Sequence, residues 1–253
     1  MKKNLLLILV FACLSFFGCK DKTEKSQAEM ESEAMAETEA ERPPEEWTVL
    51  FDGTSFDGWK GFQKDSIPEH WKIEDGAMVF YPPKNREEGA VFDLVTEKKY
   101  TDFVLSLDWK ISEGGNSGVM WGVSEDEQFK KPYHTGPEIQ VLDNERHPDA
   151  KAGTSHQAGA LYDMESPTKD MTKPAGEWNT MVITVNHGEK RGNVVLNGEE
   201  VVSFPVGNEI WNTMVSKSKF ADWDGFGKYL QGKIVFQDHG DMVAYKNIKI
   251  KEL

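Results

Sequence analysis

Cysteine is almost absent from this chain: there are two, Cys13 and Cys19, both within the first nineteen residues. Everything after them is free of disulfides, so the body of the protein has to be held by core burial. Basic residues are scarce against acidic ones, 29 Lys and Arg to 43 Asp and Glu, for a net charge of −14. That balance excludes nucleic acid and anionic membrane surfaces as partners, because phosphate binding needs clustered Lys and Arg. It is compatible with a neutral ligand. Long apolar runs are missing too; Leu5 to Phe17 falls short of the about 20 residues of a relaxed membrane span. Helical periodicity is nearly lacking, with room for a turn or two only at Thr213 to Lys219 and Val91 to Lys98. There is no internal repeat.

What the N-terminus does have is a pattern. Lys2 and Lys3 precede the apolar run, which ends in Phe16-Phe17-Gly18-Cys19. This is the layout of a lipoprotein signal peptide, which makes residues 1–18 a removable leader and Cys19 the lipid acceptor. The expected location is the bacterial cell envelope, with membrane contact through the lipid anchor only. Residues 19–46 include AEMESEAMAETEAERPPEE, mostly Ala, Glu and Met. Low hydrophobicity with negative charge predicts a disordered tether, and the apolar positions form no stripe wide enough to dock as a helix.

The remainder, residues 47–253, reads as one all-β domain. Turn signals recur at short spacing: Asp52-Gly53, Asp57-Gly58, Asp75-Gly76, Gly114-Gly115, His187-Gly188 and Asn197-Gly198. Trp71 to Phe80 predicts a hairpin closed by Asp75-Gly76, and Asn193 to Phe204 another closed by Asn197-Gly198. The clearest strand is Phe103 to Ile111, where Phe103, Leu105, Leu107, Trp109 and Ile111 alternate with more polar residues. Trp178 to Asn186, Lys233 to Gln237 and Met242 to Lys251 supply further strands. Many short strands with little helix mean a sandwich or barrel. Three long irregular segments, 124–135, 147–174 and 211–232, carry His, Trp, Tyr or Lys and are read as walls of a cleft.

The chemistry concentrates between Gly114 and Asn144. Two strands are predicted there, from the alternation of Val119, Trp121 and Val123 and of Ile139 and Val141. Gly136, Glu138 and Gln140 then share one face of the second strand, and Asn116, Gly118 and Met120 one face of the first. A carboxylate and an amide would lie side by side with glycine leaving room before them. Glu138 is the leading acid or base. His239, in Gln237-Asp238-His239-Gly240, either orients Glu138 or a ligand, or ties down a turn. Trp109 belongs to the core; Trp211 and Trp223, in an irregular segment, are the better aromatic platforms. Lys217 and Lys219 flank that segment as hydroxyl donors.

Five motifs in this order, NSGVMWG, GPEIQVLD, HQAGALYDM, GEWNT and GKIVFQDHGDMVAYKNIKIKEL, resemble the bacterial 3-keto-disaccharide hydrolase family. The resemblance runs from Leu50 to Leu253. It implies a concanavalin A-like jelly-roll sandwich of two antiparallel sheets, related to the laminarinase-type glucanases. It also implies a 3-keto-glycoside or oligosaccharide substrate, a sugar already oxidised at carbon 3. Glucanases of that fold set two carboxylates on one strand face, at the about 5–5.5 Å that a retaining double displacement requires. Around Glu138 the matching positions are His134, Gly136, Gln140 and Leu142, and Asp143 has the wrong parity. One carboxylate where two are needed favours 1,2-elimination. The ketone acidifies the hydrogen on carbon 2, a base removes it, and an acid serves the leaving oxygen.

For that chemistry the expected catalytic set is Glu138, His156 and His239, with His156 as base because histidine is the side chain suited to proton transfer near neutral pH. The expected substrate-binding set is Asn116, Gln140, Tyr162, Trp211 and Lys219. A divalent metal held by Glu138, Asp143, His156 and His239 is one further option, although no HxH, HExxH or acidic loop spacing is present. Two alternatives remain open: hydrolysis of 3-keto-disaccharides, and a non-catalytic carbohydrate-binding module on the same sandwich.

Overall fold

The computed structural model describes residues 46–253. The expected leader at 1–18, Cys19 and all of the tether but Glu46 lie outside the described residues. Among those described, no helix is long and apolar enough to cross a membrane.

Thirteen strands are formed among the described residues. They begin with β1 (Thr48–Phe51), β2 (Trp59–Gly61), β3 (Trp71–Glu74), β4 (Ala77–Phe80) and β5 (Leu94–Thr96). Then come β6 (Phe103–Ile111), β7 (Asn116–Val123), β8 (Glu138–Leu142) and β9 (Asn179–Asn186). β10 (Arg191–Leu196), β11 (Glu199–Pro205), β12 (Lys233–Phe236) and β13 (Val243–Glu252) complete the set. An eight-stranded sheet runs β11-β10-β9-β6-β13-β4-β3, with β1 also on β13; a five-stranded sheet runs β2-β5-β12-β7-β8. All pairings are antiparallel, and the two sheets form the expected all-β sandwich.

Local chemistry accounts for the elements. The β3–β4 hairpin turns at Asp75-Gly76, where both residues have positive φ (50° and 72°), as the tight turn requires. β10 and β11 turn in the same way at Asn197-Gly198. On β6 every second residue is buried and the others are partly exposed, which is the period of a half-buried strand. Val91 to Lys98 holds no helix: its centre is β5, whose Leu94 and Val95 pair with Phe236 and Val235 of β12. Burial between sheet neighbours overrides a short ambiguous run. The expected helix at Thr213 to Lys219 starts earlier, as α1 (Glu209–Lys217), because the Asn208 side chain accepts from Trp211 N at 2.9 Å and caps it.

The two sheets meet over one continuous core. Leu107, Trp109 and Tyr245 come from the larger sheet, and Val119, Ile139, Val141 and Phe236 from the smaller. Tyr245 Oη reaches Ser117 Oγ at 2.7 Å, a polar tie between the layers. Because side chains alternate, the residues between Val119, Ile139, Val141 and Phe236 face away from the larger sheet. The alternation expected for Val119, Trp121 and Val123 fails at its last step. Gly122, at φ 62°, belongs to a bulge where Lys233 pairs with Val123 but Val235 with Met120. The extra residue turns Val123 to the same side as Met120 and Val95.

Candidate functional site

A cleft of about 240 Å³ lies on the outer face of the five-stranded sheet, just below the ~300–1,000 Å³ of ordinary ligand pockets. Of the predicted floor, Asn116, Gly136, Glu138 and Gln140 line it, while Met120 is buried in a small apolar cluster. Gly118 pairs with Gln140 and Met120 with Glu138, so Asn116, Gln140, Glu138 and Gly136 look into the same space. Gly118 has a specific purpose: a Cβ there would stand 2.0 Å from Glu138 Oε1. The carboxylate therefore lies flat across the neighbouring strand.

Hydrogen bonds fix this floor. With its amide nitrogen turned inward, Gln140 donates to Ser117 O at 2.8 Å and reaches Asn116 Oδ1 at 3.2 Å and Glu138 Oε1 at 3.3 Å. The opposite orientation would point its oxygen at those three acceptors. Asn116 N donates to Asp241 Oδ2 at 3.1 Å. Burial pushes the Glu138 carboxyl up to about 8, offset in part by the positive charge of Lys219. Glu138 is therefore mostly protonated at neutral pH.

The walls come from the three long irregular segments. Tyr133 belongs to the first, Tyr162 to the second, and Lys219, Phe220, Trp223 and Phe226 to the third. Lys219 Nζ sits 3.9 Å from the centroid of the Tyr162 ring. His239, just beyond β12, closes the lining together with Gln237. Burial pushes the His239 imidazole below its ordinary value, so it is neutral at pH 7.

His156 is not on the lining. Its Nδ1 faces Asp149 Oδ1 at 2.8 Å and its Nε2 faces Asp163 Oδ1 at 3.2 Å, so both ring nitrogens are engaged. The same two carboxylates serve the cleft wall: Tyr162 Oη donates to Asp149 Oδ2 at 3.0 Å, and Lys219 N donates to Asp163 Oδ2 at 2.8 Å. His156 thus braces two lining residues from behind, and the expectation that places it in the cleft is corrected. Trp211 is corrected too. It is 4% exposed, packs in the main core and donates from Nε1 to Gly227 O at 3.1 Å, because the helix that Asn208 caps turns it inward. Lys217 is exposed on the last turn of α1 and does not line the cleft.

The four-residue metal set does not assemble. Asp143 accepts from Gly114 N at 2.7 Å and Glu145 N at 3.1 Å, which makes it the organiser of its own loop. Among the described residues no group of three or more His, Cys, Asp or Glu side chains is placed to hold a metal ion. Three lining residues escaped sequence reasoning, Tyr133, Phe220 and Phe226, and Gln237 was noted only as a neighbour of His239. Its parity with Val235 on β12 was the available signal.

Comparison with known proteins decides the family. The profile described as the 3-keto-alpha-glucoside-1,2-lyase-like domain matches residues 46–251. The chain belongs to this family. A 3-keto-disaccharide hydrolase from Bacteroides thetaiotaomicron is 36% identical over 234 residues, 82% of this chain and 78% of that protein. A crystal structure from Parabacteroides distasonis, described as a "putative glycosyl hydrolase", is 36% identical with a TM-score of 0.73, covering 82% of this chain and 94% of that one. A second of the same description and organism is 27% identical, with a TM-score of 0.61 over 82% of this chain and all of the other. The chain is therefore a carbohydrate-active enzyme of the glycosidic bond.

Proposed function

We propose that this enzyme cleaves glycosides whose sugar carries a ketone at carbon 3, by proton abstraction at carbon 2 and 1,2-elimination. The observation that carries this reading is the lining of the cleft, in which Glu138 is the only carboxylate among the described residues. Glycosidases of either stereochemistry use two. What shares the lining with Glu138 instead is a histidine shifted the other way, and such an opposed pair marks an acid and a base.

His239, neutral, takes the proton from carbon 2. The C–H electron pair moves into the C2–C3 bond and the ketone oxygen becomes an enolate oxygen. As the ketone re-forms, a C1–C2 double bond appears and the C1–O bond breaks, with Glu138 giving its proton to the departing oxygen. Water adding across the double bond would return the free 3-keto sugar, so that the net change is hydrolysis. That second step is favoured by the relative named as a hydrolase. Tyr162, Lys219, Asn116 and Trp223 hold the ring in this scheme, and no step needs a metal ligand set.

The test is to incubate the protein with a glucoside, a glucobiose and their 3-keto forms, and to follow products by mass in H₂¹⁸O. Release of aglycone from the 3-keto form alone, with an unsaturated product preceding the hydrate, is the expected result. Equal cleavage of the unoxidised glycoside would overturn it.

A further inference from the structure

Among the described residues three buried side-chain atoms lack a hydrogen-bond partner, Trp109 Nε1, Asn144 Nδ2 and Gln237 Oε1, and of these only Gln237 lines the cleft. Gln237 is 6% exposed. Its main chain is pinned on both sides: N donates to Gly118 O at 2.9 Å, and O accepts from Ser117 Oγ at 2.7 Å. The side chain therefore has no main-chain route of retreat. Its other end is loosely engaged, with Nε2 3.5 Å from Glu138 Oε2, at the outer limit of a hydrogen bond. A buried acceptor without a donor is costly and calls for a partner.

The amide thus presents side by side an acceptor in need of a donor and an N–H donor in need of a better acceptor. A hydroxyl beside a carbonyl has the complementary pattern. In a 3-keto sugar the ketone is flanked by the hydroxyls on carbons 2 and 4. We propose that Gln237 binds this hydroxyl–ketone pair, Oε1 accepting from one vicinal hydroxyl and Nε2 donating to the ketone oxygen. The proposal rests on the 3-keto-glycoside reading and supplies the electrophile that the elimination requires. When the C2–H electron pair moves into the C2–C3 bond, negative charge arrives on the oxygen Nε2 faces, and the bond strengthens. When the C1–O bond breaks and the ketone returns, it relaxes. Gln237 is then a catalytic residue that is also a reader of the oxidised ring.

The experiment uses Gln237→Met, which removes both functions, and Gln237→Asn, which keeps the amide should the Met variant fail to fold. Binding of free 3-keto-glucose is measured by calorimetry, and kcat/KM with a 3-keto-disaccharide and its 2-deoxy and 4-deoxy analogues. Gln237→Met should lose about 10–100-fold in both affinity and kcat/KM on the parent sugar. One deoxy analogue should cost the wild type a similar factor and cost the variant nothing more. Values for Gln237→Met within about threefold of wild type would overturn the proposal, as would analogue losses that multiply with the variant's for both hydroxyls. If the wild type cleaves no 3-keto-glycoside but binds 3-keto-glucose in a Gln237-dependent way, the elimination reading fails and the Gln237 assignment stands.

Discussion

The carboxylate of Glu138 occupies the space where a side chain on Gly118 would be, with Oε1 2.0 Å from the Cβ that Gly118 lacks. An acid on one strand is thus shaped by a glycine on the next. Gly118→Ala should force the carboxylate off the floor, away from Gln140 and Gln237, and lower kcat by about 10²-fold or more, the size of an acid's contribution. The backbone there is not at positive φ, so the fold should survive at a cost of about 1–3 kcal/mol for overpacking. Glu138→Gln keeps shape and removes the proton, and should cost ~10²–10⁴-fold in kcat with the melting temperature held or raised. Steady-state kinetics beside thermal melts check both variants. Full activity in either would remove Glu138 from the chemistry.

The pH profile follows from the two opposed shifts. His239 must be neutral and Glu138 protonated, so kcat/KM should rise below the ordinary histidine range and fall as pH passes through about 8. In Glu138→Gln the high-pH limb should vanish while the low-pH limb remains. A high-pH limb unchanged in that variant would assign it to another group.

Stability should move with the same protons. Glu138 has a folded-state value of about 8 against 4.5 for the free group, and Asp93, raised by burial and then by Asp238, about 7 against 3.8. The folded state binds those protons more tightly than the unfolded one. The stability they contribute is therefore complete below the free-group values and is lost as pH rises through the folded ones. His239 acts oppositely but only in the acidic range. Between pH 7 and 8.5 the decline belongs mainly to Glu138, so denaturant unfolding across that window should slope downward in wild type and be nearly flat in Glu138→Gln.

Strand period and turn chemistry were enough to read β6, both hairpins and the Glu138–Gln140 face, because each depends on residues close in sequence. The same local reasoning missed wherever a distant contact decided the outcome. Trp211 looks like a loop aromatic until Asn208 caps a helix and turns it into the core. His156 looks like a free base until Asp149 and Asp163 take both its nitrogens. Val123 follows the alternation until the bulge at Gly122 reverses it. Gln237 has the parity of Val235, but that face joins the cleft only because sheet order places β12 beside β7, which spacing does not reveal.

The N-terminal pattern yields a prediction independent of the cleft. Cys19→Ala should shift the protein from the membrane to the soluble envelope fraction, or stall its processing, if Cys19 carries the lipid. Unchanged fractionation would refute the anchor. Deleting residues 21–44 should leave the melting temperature within about a degree, since that stretch has little apolar surface to bury.

The two histidines separate catalysis from support. His239 lines the cleft and His156 stands behind it, so their alanine variants should differ in kind. His239→Ala should lower kcat by ~10²–10⁴-fold and erase the acidic limb of the profile. His156→Ala leaves Asp149 and Asp163 as two carboxylates with nothing between them, so the carboxylates should repel and loosen Tyr162 and the main chain at Lys219. Substrate positioning should suffer first, raising KM about tenfold with the acidic limb of the profile retained. His156→Gln, which can still donate to one carboxylate, should recover part of that loss, whereas a general base cannot be replaced by an amide. If His156→Ala instead removes the acidic limb and His239→Ala does not, the base is His156 after all, and the loop that holds it must move when substrate binds.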